Sequence, residues 1–266
     1  MTDDEVRAEA ALLDRAETTA EQVRQSTSVH PTMAIDDAYR VQAAWLELRL
    51  ARGERLVGHK IGLTSRAMQQ AMAITTPDSG FLTDRMVFAP DSELRADAFC
   101  DPKVEVELAF VLGRDLAGDD VGLEDVLEAT DRVLPAVELI AARSFRRDPD
   151  SGRPRTVVDT IADNAADAGI VCGGRPVGPR EVDLRWVGAI ARRNGVVEET
   201  GLAAGVLDHP ALGIAWLARR YADQGLVLEA GQTVLAGSFT RPIDVRPDDT
   251  FEFDFGPLGA FSLRFR

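Results

Sequence analysis

Two glutamates, Glu105 and Glu107, alternate with apolar residues in a segment that has the period-two pattern of a β-strand. On a strand, residues two apart project to the same face, about 7 Å apart at roughly 3.3 Å rise per residue. The apolar neighbours Val104, Val106 and Leu108 then project to the other face. A pair of this kind commonly lines only a solvent-exposed face, so a third carboxylate is needed to indicate a cation site.

Glu138 is that third carboxylate, because it lies alone inside the apolar segment Pro135–Ile140. A buried carboxylate is unfavourable unless it is paired, hydrogen-bonded or bound to a metal. Three carboxylates without histidine or cysteine suit a hard, oxygen-seeking cation, Mg²⁺ or Mn²⁺. Three protein ligands also leave coordination positions for water and a chelating substrate. The sequence therefore predicts a metal-dependent enzyme with Glu105, Glu107 and Glu138 as ligands.

Lys60 and Asp78 are the candidate catalytic residues outside this cluster. Lys60 lies between Gly58 and Gly62 among apolar neighbours, where it pairs with a substrate carboxylate or transfers a proton, unless it is a snorkelling surface lysine. Asp78 follows a proline in a predicted loop, and this position is also typical of ordinary turn chemistry. His59 points away from Lys60 on a strand and is interpreted as structural.

Other chemistries find little support in the sequence. Cys100 and Cys172 form no Cys-x-x-Cys pair, and His30 and His209 are not interpreted as ligands. No Gly-x-Ser-x-Gly elbow or phosphate-binding glycine loop is present. A net charge of −14, from 44 acidic and 30 basic residues, argues against binding to nucleic acid or an anionic membrane. We expect a cytoplasmic protein, since the N-terminus lacks an apolar signal segment and the apolar runs are short.

Helical periodicity over 4–25 and 34–52 predicts two amphipathic helices separated by a loop at 26–28. A third helix is predicted over 209–221, and a short one from residue 64 through 72. Predicted strands and turns fill the rest: 55–62, a loop at 75–80, 104–110, 131–142, an Asn-Gly hairpin at 192–197, 232–236, 250–255 and 259–265. The fold class is α+β, with an N-terminal helical part (1–54) and a β-rich catalytic domain (55–266) in one continuous unit.

Five motifs recur in an order that resembles the hydratase/decarboxylase family of aromatic meta-cleavage pathways, which is related to fumarylacetoacetate hydrolase. The resemblance extends from about residue 34 to the C-terminus. The motifs are Gly58-His59-Lys60-Ile61-Gly62-Leu63-Thr64-Ser65, Pro77-Asp78-Ser79-Gly80, Val104-Glu105-Val106-Glu107-Leu108, Pro135-Ala136-Val137-Glu138-Leu139-Ile140 and Asp159-Thr160-Ile161-Ala162-Asp163-Asn164-Ala165.

The resemblance implies a fumarylacetoacetate-hydrolase-like mixed β core, Mg²⁺ or Mn²⁺ as cofactor, and a homo-oligomer. It implies the three glutamates as metal ligands, with Lys60 and Asp78 facing a 2-oxo (di)carboxylic acid. Within the family, the segments 147–155, 193–201 and 237–242 are most similar to the branch that hydrates 2-oxo-hept-4-ene-1,7-dioate in homoprotocatechuate breakdown. A carboxylate at the far end of that substrate requires an arginine, and the candidates are Arg143, Arg155 and Arg241.

Alternatives within the family are hydration of 2-hydroxypenta-2,4-dienoate and decarboxylation of 4-oxalocrotonate, which use the same chelate. An alternative from another class is a non-catalytic partner subunit that binds dicarboxylates. One departure from the family's pattern concerns the residue three places after the third glutamate. The family commonly has an aspartate there, and this chain has Ala141.

Overall fold

The computed structural model describes residues 1–65, 69–70 and 74–266 and contains two β-sheets. The larger sheet has the strand order β2-β1-β10-β5-β6-β7-β3, with β11 paired to β5, and the smaller has β4-β13-β12-β8-β9. Their strands are β1 (Leu56–Gly62), β2 (Asp78–Thr83), β3 (Val87–Phe88), β4 (Ser92–Leu94), β5 (Lys103–Leu112), β6 (Thr130–Ile140), β7 (Asp167–Cys172), β8 (Gly188–Arg193), β9 (Val196–Leu202), β10 (Thr233–Leu235), β11 (Ile243–Asp244), β12 (Thr250–Asp254) and β13 (Ala260–Phe265).

Six α-helices lie within the described residues, and several short 3₁₀ turns join them to the strands. The helices are α1 (Asp3–Thr19), α2 (Ser26–Val29), α3 (Ile35–Ala51), α4 (Leu123–Ala129), α5 (Val157–Ala162) and α6 (Ala211–Ala222). No helix in this part of the chain has both the length and the apolar character needed to cross a lipid bilayer. The helix predicted over 64–72 extends onto residues that lie outside the described ones.

The N-terminal helices pack on one side of the larger sheet. Trp45 of α3 is fully buried, and its ring meets that of Phe81 on β2 edge to face, at 6.0 Å between centroids. The same apolar cluster includes Leu13 from α1 and Leu235 from β10. Helices and sheet therefore share one core, and the division at residue 54 stays a prediction.

Most predicted elements are present, and three differ from the prediction. Helix α1 ends at Thr19, because Ala20 takes the left-handed conformation (φ 55°). Val23 then forms a bridge with Ser144 instead of continuing a helix. The predicted loop at 26–28 is the short helix α2, and the second half of the predicted loop at 75–80 is strand β2. Backbone pairing with β1 brings 78–80 into the sheet, which local composition does not reveal.

The Asn-Gly hairpin is confirmed between β8 and β9. Both turn residues have positive φ, 53° for Asn194 and 80° for Gly195, as the mirror-image hairpin turns require. The turn is held to the neighbouring loop, since Asn194 Nδ2 donates to Asp249 Oδ1 at 2.8 Å. This hairpin makes β9 an edge strand of the smaller sheet.

A left-handed turn at residues 164–166 fixes the start of β2 against the larger sheet. Asn164, Ala165 and Ala166 have φ of 52°, 50° and 64°, an uncommon run for residues other than glycine. The Asn164 side chain accepts from Phe81 N at 2.8 Å and donates to Phe81 O at 3.0 Å, so it satisfies both backbone groups of one strand residue. This contact positions the strand that begins with Asp78.

Candidate active site

The register of β5 against β6 brings the three predicted glutamates together. Glu105 pairs directly with Glu138 across the two antiparallel strands, and Glu107 lies two residues further along on the same face. One carboxylate oxygen from each of the three lies within 4.8 Å of the other two. The alternation of β5 therefore places its valines in the core and its glutamates in a carboxylate cluster, as predicted.

The hydrogen bonds of this cluster fit a cation. Glu107 Oε2 accepts from the backbone N of Gly237 at 2.8 Å, which orients this carboxylate. Neither oxygen of the fully buried Glu138 accepts a hydrogen bond from a described residue. Lys60 Nζ is 3.2 Å from Glu138 Oε1, but that contact lacks hydrogen-bond geometry. A buried carboxylate with both oxygens unbonded is what a divalent cation ligated by oxygen would satisfy.

Mutual repulsion and burial disfavour ionisation of the cluster when no cation is present. Burial, followed by the charge of Glu138, raises the pKa of Glu105 to about 8. The same two causes, with Glu105 as a third, raise the pKa of Glu107 well above its ordinary value. Because a metal ligand must be deprotonated, a cation bound by these carboxylates would displace protons.

Lys60 is buried in strand β1 and stays charged. Burial alone would lower its pKa, but the carboxylates of Glu138, Asp78, Asp167 and Glu105 together raise that pKa above the ordinary value for lysine. The alternative of a snorkelling surface lysine is therefore wrong, since only 4% of the residue is exposed. A fixed ammonium group beside the carboxylate cluster can pair with an anionic substrate or donate a proton.

Asp78, at the first position of β2, pairs with Gly62 at the end of β1. Burial raises the pKa of this carboxyl group, and the Lys60 charge opposes the shift. Its Oδ1 has no hydrogen-bond partner among the described residues. A Cβ at Gly62 would lie 2.3 Å from that oxygen and 3.1 Å from Lys60 Nζ, so only glycine leaves room for both groups.

Asp167, which the sequence did not single out, is a further buried acid of this site. It is fully buried at the start of β7, and its Oδ1 accepts from Gly169 N at 2.9 Å. Burial and the charge of Glu138 raise its pKa well above the ordinary value. Asp167 lies alone inside the apolar segment 165–171, which is the pattern that identified Glu138, so this pattern could have indicated Asp167 too.

The carboxylate cluster opens into a cavity of about 610 Å³. Lys60, Asp78 and Glu105 line it together with residues of the segments 63–65, 199–205 and 238–242. The charged segment 146–155 supplies another wall through Arg146, Pro154 and Arg155, so it borders the cavity as well as the surface. The site is thus a partly enclosed pocket with acidic and basic groups facing each other.

Histidine and cysteine take no part in the described cluster. His59 hydrogen-bonds the Tyr221 hydroxyl through Nδ1 at 2.9 Å, and burial lowers its pKa to about 4, so it is neutral and structural. His209 Nδ1 accepts from Ala211 N at the start of α6. Both cysteines are free thiols. Chemistry in the pocket therefore falls to carboxylates, Lys60 and the bordering arginines.

None of the known protein-family models matches the chain. The 2-oxo-hept-4-ene-1,7-dioate hydratase of Escherichia coli is 54% identical over 256 residues, 96% of this chain and 96% of that protein. The 2-keto-4-pentenoate hydratase of Paraburkholderia xenovorans (strain LB400) is 37% identical, over 88% of this chain and 85% of that protein. The solved 4-oxalocrotonate decarboxylase from Pseudomonas putida G7, complexed with magnesium and adipate, has a TM-score of 0.94 at 34% identity, over 100% of this chain and 99% of that chain.

The mixed β core with its N-terminal helices is the fumarylacetoacetate-hydrolase-like fold, which more distant solved structures share. The chain belongs to the hydratase/decarboxylase family of aromatic meta-cleavage pathways. These relatives confirm the predicted family, the fold class and the prediction of a hydratase that uses a divalent metal.

We expect Mg²⁺ to bind EDTA-treated protein with release of protons, and its affinity to rise with pH up to and beyond about 8, the raised pKa of Glu105. The affinity for Mg²⁺ rises with pH because the cation competes with protons for the same carboxylate oxygens. Calorimetric titration in buffers of different ionisation enthalpy measures both quantities. Glu105→Gln and Glu138→Gln should each weaken Mg²⁺ binding by more than about tenfold. Mutation of a residue that only hydrogen-bonds to a metal ligand already lowers metal affinity by at least about that factor.

The matched control is Glu181→Gln, which removes an exposed carboxylate that is paired with Arg175. Binding of Mg²⁺ to Glu138→Gln with the wild-type affinity and proton release would show that the cluster is not the cation site.

Proposed function

We propose that the protein is a divalent-metal-dependent hydratase that converts 2-oxo-hept-4-ene-1,7-dioate into the 4-hydroxy-2-oxo acid. The observation that supports it most is the union, in one cavity, of the carboxylate cluster with Lys60 and Asp78. The choice of substrate is supported by the relative that is 54% identical over nearly the whole chain. The reaction moves a proton from C3 to C5, which conjugates the double bond with the 2-oxo group. Water then adds at C4, and C3 is reprotonated.

Glu105, Glu107 and Glu138 are the proposed ligands of Mg²⁺ or Mn²⁺. When bound, the cation supplies an electrophile that stabilises negative charge on the oxygens of a 2-oxo acid. Glu105 lines the cavity, so the substrate approaches the cluster from its side. Gly237 N holds Glu107 in place before substrate arrives, and Lys60 Nζ lies 3.2 Å from Glu138 Oε1.

In this proposal Lys60 holds the substrate carboxylate, or it donates the proton that a carbon atom of the substrate receives. Its ammonium group is charged and surrounded by carboxylates, so it is not a free base. Its position 3.2 Å from Glu138 Oε1 keeps it beside the proposed cation site. A substrate carboxylate that binds beside Lys60 loses its contacts with water and gains an interaction with a fixed positive charge.

Asp78 is the proposed base for the water that adds at C4. Its raised pKa moves it toward the range in which a carboxylate both accepts and returns a proton efficiently. Its unbonded Oδ1, within reach of the space that Gly62 leaves open, is available to a water or a substrate C–H.

The proposed function is tested by assaying the purified protein with Mg²⁺ on three substrates in parallel. We expect 2-oxo-hept-4-ene-1,7-dioate to be hydrated with the highest kcat/KM, 2-hydroxypenta-2,4-dienoate to be hydrated less efficiently, and 4-oxalocrotonate to release no CO₂. Dominant CO₂ release would instead identify a decarboxylase. Tight binding of oxalate without turnover of any of the three would identify a non-catalytic dicarboxylate-binding subunit.

The role of Asp78 gives a pH dependence of defined sign. The base must be deprotonated, so kcat/KM should rise with pH through a pKa above the ordinary value of about 3.9, and protonation below that pKa should abolish activity. Asp78→Asn should lower kcat by about 10²- to 10⁴-fold and remove this acid limb. Rates are measured at saturating Mg²⁺ at each pH, with Asp97→Asn, an exposed partner of Arg95, as the control. An acid limb that persists in Asp78→Asn would assign the base elsewhere.

We also infer that copies of the chain assemble into a homo-oligomer in the cytoplasm. Two exposed apolar features support the assembly. One is a second cavity of about 550 Å³ near Trp186, a residue that is 71% exposed. The other is the pair Val196 and Val197, which are exposed on edge strand β9. The free thiols of Cys100 and Cys172 suit a reducing compartment.

Sedimentation should give a mass that is a multiple of the chain's own, and Trp186→Glu should shift it toward the monomer, because burial of the new charge is unfavourable. Arg185→Glu, which changes an exposed neighbour without removing apolar area, is the control. A wild-type protein that sediments as a monomer would contradict the assembly.

A further inference from the structure

The structure distinguishes among the three arginines that were candidates for a second substrate carboxylate. Arg143 is only 1% exposed and does not border the cavity. Its Nη1 donates to the carbonyl of Ala141 at 2.9 Å, and its guanidinium lies over the Trp45 ring at 5.0 Å. A residue committed to the core in this way is not available to substrate.

Arg241 borders the cavity but is a poor anchor. Its side chain is 83% exposed, and both Nε and Nη2 contact Glu199 Oε1, at 2.8 and 2.6 Å. A substrate carboxylate there would compete with Glu199 and with solvent, and exposed ion pairs contribute little.

Arg155 has the opposite character. Its side chain is 9% exposed and borders the cavity, and Nη1 contacts Asp163 Oδ2 at 3.2 Å. Nε and Nη2 donate to no residue in the described part of the chain. Burial lowers its pKa to about 10, which shows that Asp163 compensates the buried charge only in part. A further anion would complete that compensation.

Arg146 stands beside Arg155, since the Arg155 backbone N donates to the Arg146 carbonyl at 3.0 Å. Asp101 holds the Arg146 guanidinium through Nε at 2.6 Å and through its own carbonyl at 3.1 Å. Nη1 of Arg146 donates to no described residue, and its side chain also borders the cavity. Two acids outside the pocket thus orient two arginines whose remaining donors are available to it.

We propose that Arg155, assisted by Arg146, binds the carboxylate at the end of the substrate remote from the metal cluster. This inference rests on the proposed function and makes the segment 146–155 the determinant that selects 2-oxo dicarboxylates over shorter monocarboxylates. A fork of guanidinium donors held by a buried acid suits a carboxylate, because both oxygens are engaged at once and little side-chain freedom is lost. The Arg146 guanidinium provides a second positive charge, so the two oxygens of the remote substrate carboxylate can accept hydrogen bonds from both arginines.

The test compares saturated analogues as well as substrates, so that binding is measured without turnover. Calorimetry in Mg²⁺ gives Kd for 2-oxoheptanedioate and for 2-oxopentanoate, and kinetics give kcat/KM for 2-oxo-hept-4-ene-1,7-dioate and 2-hydroxypenta-2,4-dienoate. Arg155→Gln should weaken diacid binding and lower diacid kcat/KM by about 10- to 100-fold, the effect of losing charge-assisted hydrogen bonds. Values for the monoacids should not change. Arg146→Gln should show a smaller loss in the same direction.

Arg147→Gln is the matched control, because Arg147 lies on the same segment but is exposed and donates to Gly152 O. Retention of the full diacid preference by Arg155→Gln would overturn the proposal. If Arg155→Gln loses affinity for the diacid and the monoacid equally, the Arg146→Gln variant provides the test. An unchanged preference of Arg146→Gln for the diacid would then overturn the proposal. If the wild-type protein turns over neither substrate but Arg155→Gln loses the preference in Kd for the diacid, the result would support the carboxylate site and contradict the proposed hydratase function.

Discussion

Buried negative charge is the constraint on which this structure depends. Asp78, Glu107, Glu138 and Asp167 are each at most 1% exposed, Glu105 joins them at the cavity wall, and Lys60 is the cation at their centre. One ammonium group does not neutralise five carboxylates, so protonation, a divalent cation or both together must reduce the remaining negative charge. The raised pKa values of Glu105, Glu107 and Asp167 are the protonation solution, and a bound metal is the other. A cation bound by the proposed ligands would therefore replace protons, which would link the stability of the site to its chemistry.

The sheet provides the rigidity that such a cluster requires. Glu105 and Glu138 face each other because β5 and β6 pair in one register, and a slip of one residue would turn the glutamates toward the core and the valines toward the site. Lys60 and Asp78 come from β1 and β2, which pair antiparallel and converge at Gly62. The left-handed turn at 164–166 then fixes β2 through the two hydrogen bonds of Asn164. Strained backbone of this kind persists where surrounding contacts determine it, and here it borders the cavity.

Sequence reasoning reached the parts of the site that local pattern encodes. Alternation on β5 predicted which face carries the glutamates, and the lone Glu138 in an apolar strand predicted the third carboxylate. It failed where long-range pairing decides. Local composition predicts a loop at Asp78, yet pairing with Gly62 makes this residue the first of β2. Helical periodicity predicts that α1 continues past Thr19 to residue 25, because the bridge between Val23 and Ser144 has no local signature. Arg143, Arg155 and Arg241 were equivalent in sequence, since their burial and partners are fixed only by the fold.

Ala141, the position at which the sequence departs from the predicted family pattern, makes its hydrogen bonds through its backbone. Its N donates to Ala166 O at 2.8 Å and its carbonyl accepts from Arg143 Nη1 at 2.9 Å. The acids near Arg143 come from elsewhere, because Asp163 Oδ1 lies 3.4 Å from its Nη1 and Asp163 Oδ2 accepts from its backbone N at 2.8 Å. Asp163 also contacts Arg155, so one buried carboxylate joins the core arginine to the arginine that borders the cavity. Ala141 therefore contributes no carboxylate beside Arg143, and the carboxylates that contact this arginine belong to Asp163 and Glu17. If Arg155 binds substrate as proposed, Asp163 is the acid shared between the support of the fold and the recognition of substrate.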